Sequence, residues 1–204
     1  MKKPLLSTWE GWSEQLMNLI GEPADAPTDL APFKALLGWK GLVVWDDNVD
    51  PVDLLRAYIE KVALESCGQC TPCREGTQRM NLIMNRICDG QGQPDDLDEI
   101  RRLACFISES ARCDVGRCLA PPTLEIMDRY ADEFAAAVTA KRRIEPQPFE
   151  ATVTAPCISA CPSNVDIPAY VEGIRMGQFD EALARVREDC PMPGTIGRVC
   201  VRPC

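Results

Sequence analysis

The chain has 204 residues, of which twelve are cysteine and none is histidine, and its formal net charge is -9 at pH 7. The lack of histidine excludes a serine–histidine or cysteine–histidine catalytic pair, a histidine-ligated zinc and a Rieske centre within these residues. The negative charge argues against nucleic acid and anionic membrane surfaces as partners. No apolar run approaches the ~20 residues that span a bilayer. Because no export signal precedes the cysteines, the sequence predicts a cytoplasmic protein in which they bind metal rather than form disulfides.

The first 40 residues are predicted to form a helix and a linker. Apolar residues recur at helical spacing between Trp9 and Ile20, and residues 21–32 have the composition of a linker. The Gly-Leu-Val-Val-Trp segment at residues 41–45 predicts a strand, because turn-forming aspartates follow it.

Helical patterns dominate the chain after that strand. Asp50 is the expected cap of the first helix, with Pro51 at its first position. The apolar stripe from Leu54 to Val62 then runs up to the cysteine-rich segment. Similar stripes predict helices at about 75–88, 95–109, 122–141, 167–176 and 179–188.

The helical periodicity is lost at residues 142–156, around Pro146 and Pro148, which is the expected domain boundary. We therefore predict a mainly α fold, with a helical-bundle domain followed by a small α-helical domain. The expected parts are a helix and linker at 1–40, the bundle at 41–145 and the small domain at 146–204.

Three cysteines, Cys67, Cys70 and Cys73, lie three residues apart in a segment punctuated by glycine and proline. Three thiolates in one short loop suit three irons of a 4Fe–4S cube, whereas zinc sites usually take cysteines as two separated pairs. A helix that follows such a loop directs free backbone N–H groups at the sulfurs. A fourth ligand has to come from farther along the chain.

Four later cysteines are candidates for this fourth ligand. Cys88 and Cys105 fall within helical stripes, where a free cysteine usually packs as a small buried hydrophobe. Cys113 and Cys118 share a loop that can fold back onto the triplet, and spacing alone does not separate them.

Residues 40–140 resemble the C-terminal helical domain of the NADH-oxidising flavoprotein subunit of respiratory complex I and related hydrogenases. That family has a Ser-Cys-Gly-x-Cys-x-x-Cys-Arg-x-Gly loop and a later cysteine that is followed by glycine and then Ala-Pro, as Cys113 is here. The resemblance implies a first 4Fe–4S cluster and gives Cys118 no ligand role. The family's FMN and NADH site has no counterpart in residues 1–40. The implied ligands are Cys67, Cys70, Cys73 and Cys113.

The end of the chain carries a second set of cysteines. Cys157-x3-Cys161-Pro matches the last part of a bacterial ferredoxin motif, but the two earlier cysteines of that motif are missing. Together with the segments at 164–170, 177–183 and 195–204, it resembles the N-terminal iron–sulfur domain of the glutamate synthase small subunit family. Related NAD(P)H oxidoreductases and the cluster-bearing end of dihydropyrimidine dehydrogenase share that domain.

This second resemblance implies a second 4Fe–4S cluster, with Cys157 as the natural fourth ligand within the chain. Cys190 is expected to be structural. In the family, the domain precedes a flavoprotein that binds FAD and NAD(P)H, so we expect the polypeptide to continue beyond residue 204 into such a part. Two Cys-x3-Cys pairs are also compatible with tetrahedral zinc. The implied ligands are Cys157, Cys161, Cys200 and Cys204.

The leading hypothesis is an iron–sulfur electron-transfer module or subunit of a cytoplasmic NAD(P)H-linked oxidoreductase. Two 4Fe–4S clusters would relay single electrons between FAD and a partner redox subunit. Formate dehydrogenase, hydrogenase, aldehyde oxidoreductase and electron-bifurcating partners are all compatible with the resemblance. The residues present make no complete active site, because they lack a glycine-rich dinucleotide fingerprint. The alternative is a zinc-stabilised structural or interaction module without a redox role.

Overall fold

The structure is a computed structural model that describes residues 6–7, 35–38, 41–44, 48–147, 149–151 and 155–201. The helix expected between Trp9 and Ile20 lies outside the described residues, as does Cys204. The prediction of a mainly α fold is confirmed. The helices are α1 (Pro51–Leu64), α2 (Thr71–Cys88), α3 (Asp96–Ser110), α4 (Asp114–Arg117), α5 (Ala120–Arg129), α6 (Ala131–Thr139), α7 (Pro156–Ala160), α8 (Ile167–Arg175), α9 (Phe179–Asp189) and α10 (Pro193–Val199).

A small sheet accompanies the helices. Its strands are β1 (Leu6–Ser7), β2 (Ala35–Gly38), β3 (Gly41–Val44) and β4 (Glu150–Ala151), in the order β1-β3-β2-β4. Strand β3 confirms the strand expected at this position, and it pairs antiparallel with β1 and β2. Strand β4 pairs parallel with β2. The segment of the expected domain boundary is thus attached to a sheet that begins in the N-terminal part.

Helix α1 begins where the sequence predicts. The Asp50 carboxylate accepts a hydrogen bond of 2.9 Å from the backbone N–H of Val52, and Pro51 occupies the first turn. This cap satisfies an N–H group that has no partner within the helix. Val52, Leu54, Leu55, Tyr58, Ile59 and Val62 form the buried face of the helix.

Helix α2 starts four residues earlier than the apolar stripe indicates, at Thr71. Cys70 is therefore its N-cap residue, and Cys73 lies in its first turn. Further along, α2 packs closely on α3, because a Cβ atom added to Gly76 would lie only 2.7 Å from Ile107 Cδ1. Gly76 therefore lets α2 and α3 approach each other closely, one turn after Cys73.

The single helix predicted at 122–141 is wrong, because the chain forms two helices there, α5 and α6. Tyr130 breaks the helix with φ -117° and ψ 36°. A change of direction at this residue allows both Met127 on α5 and Phe134 on α6 to be buried in the same core. The short helices α4, α7 and α10 also lay outside the sequence prediction, because four to seven residues are too few to show a helical period.

The described residues form two apolar cores of unequal size. The first core takes buried side chains from α1, α2, α3, α5 and α6. The second contains Val165, Ile167 and Cys190. Cys157 is partly buried and packs against both cores. Among the described helices, none has the length and apolar composition needed to cross a membrane.

Candidate metal centre

The loop between α1 and α2 carries the first two cysteines of the triplet. Gly68 has φ +72°, a left-handed conformation that glycine adopts without the cost of a side chain. Its carbonyl accepts a hydrogen bond of 2.6 Å from the Arg74 guanidinium, which reaches back from the first turn of α2. The loop is therefore closed by its own helix, with Cys67 and Cys70 on either side of the glycine turn.

Cys113 reaches this loop from a second element. It is the N-cap residue of α4, and the backbone N–H groups of Val115 and Gly116 favour its thiolate by lowering the pKa that burial raises. Gly116 makes this approach possible, because an added Cβ atom would lie 2.4 Å from Ala111 Cβ and 3.7 Å from Cys73 Cβ. The start of α4 therefore lies beside the triplet.

The four thiols lie close enough for their charges to interact. Burial raises the pKa of Cys73 to about 11, an effect that the Ser66 hydroxyl 3.4 Å away opposes and the other three thiols increase. Burial also raises the pKa of Cys113, opposed by the N–H group of Val115 and increased by Cys67 and Cys70. Several thiolates together are thus unfavourable without a positive charge beside them, and bound iron supplies that charge. The donor set fits a 4Fe–4S cluster.

Cys118, the competing candidate, lies in a different environment. Its carbonyl accepts a hydrogen bond of 3.4 Å from the hydroxyl of Tyr58, which is fully buried in the first core. Burial, with a smaller contribution from the Cys118 thiol, raises the pKa of Tyr58. The structure therefore associates Cys113 with the cysteine loop and Cys118 with the interior of the bundle.

The two cysteines within helical stripes differ from each other. Cys88 is buried, as expected, and burial followed by the charge of Asp53 raises its pKa to about 12. The same expectation is wrong for Cys105, which is exposed. Helix α3 buries Ile100, Leu103, Ala104 and Ile107 instead, and Cys105 lies outside that face.

The second set of cysteines is only partly assembled in the described residues. The Cys157 thiol lies close enough to Cys113 and Cys67 for their charges to interact, and Cys161 packs beside the second core. Cys190 is buried in that core, which agrees with a structural role. Cys200 is exposed at the end of α10, a helix with no buried residue among those described.

Among the described side chains, no group of three or more Cys, Asp or Glu residues is arranged to hold a metal ion. A 4Fe–4S cluster differs from a single ion, because each thiolate binds a separate iron at a corner of the cube. A cluster therefore requires thiolates around a cube, not around a single point.

Comparison with known families identifies both regions. Residues 53–137 match the NADH-ubiquinone oxidoreductase-F iron–sulfur binding region, and residues 123–204 match dihydropyrimidine dehydrogenase domain II, 4Fe–4S cluster. The chain joins two iron–sulfur domains. Both resemblances found in the sequence are confirmed. The matched ranges overlap at residues 123–137, whose buried side chains Ile126, Met127 and Phe134 all pack in the core of the first iron–sulfur domain.

Several curated proteins are similar to these two joined iron–sulfur domains. NADP(+)-dependent formate dehydrogenase subunit beta of Moorella thermoacetica is 32% identical over 250 residues, covering 100% of this chain and 34% of that protein. NADPH-Fe(3+) oxidoreductase subunit beta of Geobacter sulfurreducens is 34% identical over 172 residues, covering 83% of this chain and 25% of that protein. NADP-reducing hydrogenase subunit HndC of Solidesulfovibrio fructosivorans is 36% identical over 113 residues, covering 55% and 23%. The chain thus spans about a third or less of the length of these relatives.

Proposed function

We propose that the chain is the iron–sulfur electron-transfer module of a cytoplasmic NAD(P)H-linked oxidoreductase complex. It relays single electrons between FAD and a partner redox subunit. The observation that carries the proposal is the approach of the start of α4, which carries Cys113, to the cysteine loop, since a Cβ atom added to Gly116 would lie 3.7 Å from Cys73 Cβ. The relatives support it, since their names describe NADP- or NADPH-linked oxidoreductase subunits.

Each cluster supplies one-electron chemistry when bound, and the surrounding residues tune it. The Ser66 hydroxyl and the N–H groups of Val115 and Gly116 stabilise negative charge on sulfur, which favours the reduced state and raises the reduction potential. No side chain has to act as an acid, base or nucleophile in this role. The proposed ligands are Cys67, Cys70, Cys73 and Cys113 for the first cluster, and Cys157, Cys161, Cys200 and Cys204 for the second.

The same proposal covers the surroundings of the module. The bundle at 41–145 and the small domain at 146–204 are its two cluster-bearing parts, and FAD and NAD(P)H bind outside these residues, in a further part or in a partner. Because two of the relatives are named as formate dehydrogenase and hydrogenase subunits, we propose a partner of that type. Aldehyde oxidoreductase and electron-bifurcating partners are compatible with the same chemistry.

A cysteine substitution tests the first cluster directly. Cys70→Ala is expected to remove about four irons per chain and the EPR signal of one reduced cluster, leaving the second cluster in place. Cys118→Ser is the matched control and is expected to keep both clusters, because Cys118 lies beside Tyr58. Unchanged iron content in Cys70→Ala contradicts the assignment. Loss of a cluster in Cys118→Ser shows that the fourth ligand is wrongly chosen.

The zinc-stabilised module is the competing function, and the comparisons do not favour it, because both matched regions are described as iron–sulfur binding. The distinguishing measurement is the metal content and visible spectrum of anaerobically purified protein. Iron and inorganic sulfide with broad absorption near ~400 nm support the proposal. Stoichiometric zinc in a colourless protein overturns it.

A further inference from the structure

One hydrogen bond joins the two segments that lead into predicted ligands of different clusters. The backbone N–H of Ala155 donates to Glu65 Oε2 at 2.8 Å, although 90 residues separate them in the chain. Glu65 lies two residues before Cys67, and Ala155 lies two residues before Cys157. The contact therefore connects the start of the cysteine loop to the start of α7.

The packing around this hydrogen bond places α7 against the first domain. Ala155 is fully buried in the first core, where Ile158 and Cys157 are partly buried. Cys157 also packs against the second core, so it lies at the junction of the two. The junction thus brings a predicted ligand of the second cluster against the core of the first domain.

Helix α8 forms a second contact with the cysteine loop. A Cβ atom added to Gly68 would overlap Glu172 Oε2 and lie 2.7 Å from Arg175 Nε, so the glycine backbone packs against this ion pair. The charge of Arg74 in α2 also interacts with Glu172. The cysteine loop therefore contacts the second domain at two places, Glu65 and Gly68.

We propose that Glu65 is a positioning residue that holds the segment carrying Cys157 against the cysteine loop, so that the chain itself sets the spacing between the two clusters. This inference rests on the proposed function. The physical reason is the strong distance dependence of electron transfer, which makes a fixed spacing between two carriers valuable. The backbone N–H of Ala155 is paired with a half-buried carboxylate. Such a pair holds the spacing better than an exposed contact would, because water replaces a lost partner less easily at a half-buried site.

The test compares Glu65→Ala with Glu65→Gln in the full iron-loaded chain. Glu65→Ala removes the acceptor, and Glu65→Gln keeps an oxygen that can accept from Ala155. We expect Glu65→Ala to retain both clusters, to lose the magnetic interaction between the two reduced clusters in EPR, and to exchange backbone amides in α7 about tenfold faster. Glu65→Gln is expected to restore both properties. Glu125→Ala, an exposed glutamate on α5, is the matched control and should change neither.

Two outcomes overturn the inference: an unchanged interaction and unchanged exchange in iron-loaded Glu65→Ala, or equal loss in Glu65→Ala and Glu65→Gln. If Glu65→Ala fails to fold, Ala155→Pro removes the donor instead, and the φ of -57° at this residue is compatible with proline. Ala155→Pro is expected to speed amide exchange in α7 as Glu65→Ala does. Amides in α7 that stay as protected as in the wild type contradict the inference. If the wild-type chain contains no iron, the proposed function is contradicted but the role of Glu65 is not. Amide exchange in Glu65→Ala still tests whether Glu65 holds α7.

Discussion

The two iron–sulfur domains differ in what holds their cysteines together. In the first, described by residues 48–147, five helices bury side chains such as Tyr58, Met80 and Phe134 almost completely. In the second, described by residues 155–201, the core consists of three residues, and large apolar side chains remain exposed, including Phe179 at 66% and Val199 at 68%.

The difference in buried apolar surface suggests that the two cluster sites are stabilised in different ways. Burial of apolar surface stabilises the helices of the first domain, so we expect its scaffold to depend little on metal. The second domain buries too little apolar surface for the same effect. Metal coordination and contact with the first domain therefore provide a larger share of its stability.

Removal of iron is the strongest way to test this comparison. After anaerobic chelation, we expect amides in residues 155–201 to lose protection by about tenfold or more, because ligand binding is coupled to folding there. Amides in α1, α2 and α3 should change much less. Hydrogen exchange with mass spectrometry measures both regions in one sample, and anaerobic reconstitution is the control. Equal loss of protection in the two domains breaks the comparison.

Truncation of one isoleucine in each core tests the same contrast without touching a ligand. Ile107 is fully buried between two close glycine contacts, so Ile107→Ala is expected to lower the free energy of unfolding by about 3 kcal/mol. Ile167 lies in the shallow second core, and Ile167→Ala should cost about 1 kcal/mol or less. Urea unfolding of the apo chain, followed by circular dichroism, compares them. Similar costs would mean that the second core is as well packed as the first.

Two glycines sharpen the comparison at the contact between the domains. Gly68 and Gly177 have φ of +72° and +76°, so replacement by alanine adds a similar backbone strain of about 1 kcal/mol to each. An added Cβ atom has no neighbour within 4 Å at Gly177, whereas at Gly68 it displaces the ion pair of Glu172 and Arg175. We therefore expect both variants to have a slightly lower melting temperature. Only Gly68→Ala should increase the rate of amide exchange in α8. Equal exchange in the two variants would contradict a packed interface at the loop.

The elements that the sequence predicted correctly are those whose signals are local. Asp50 and Pro51 identify the start of α1, because a side-chain cap and a fixed φ act within one turn. The start of α2 was missed, since Thr71 and Pro72 carry no apolar periodicity. The break at Tyr130 was missed because the apolar stripe continues across it. It is decided by how α5 and α6 pack on the same core.

The candidate site divides in the same way. Spacing predicts Cys67, Cys70 and Cys73 as ligands, because three ligands in one loop need no tertiary information. The choice of Cys113 over Cys118 depends on resemblance and stays a prediction. The exposure of Cys105 was predicted wrongly, since a helical stripe does not show which of its edges faces solvent.

The sequence by itself determined the chemistry of this protein. The spacing of the cysteines predicts sulfur ligands, and the two family signatures specify iron–sulfur domains. Only the tertiary structure decided how those domains meet. The hydrogen bond between Glu65 and Ala155 joins groups that are 90 residues apart in the chain. A contact at that separation cannot be predicted from sequence periodicity or motif spacing, because both are local signals.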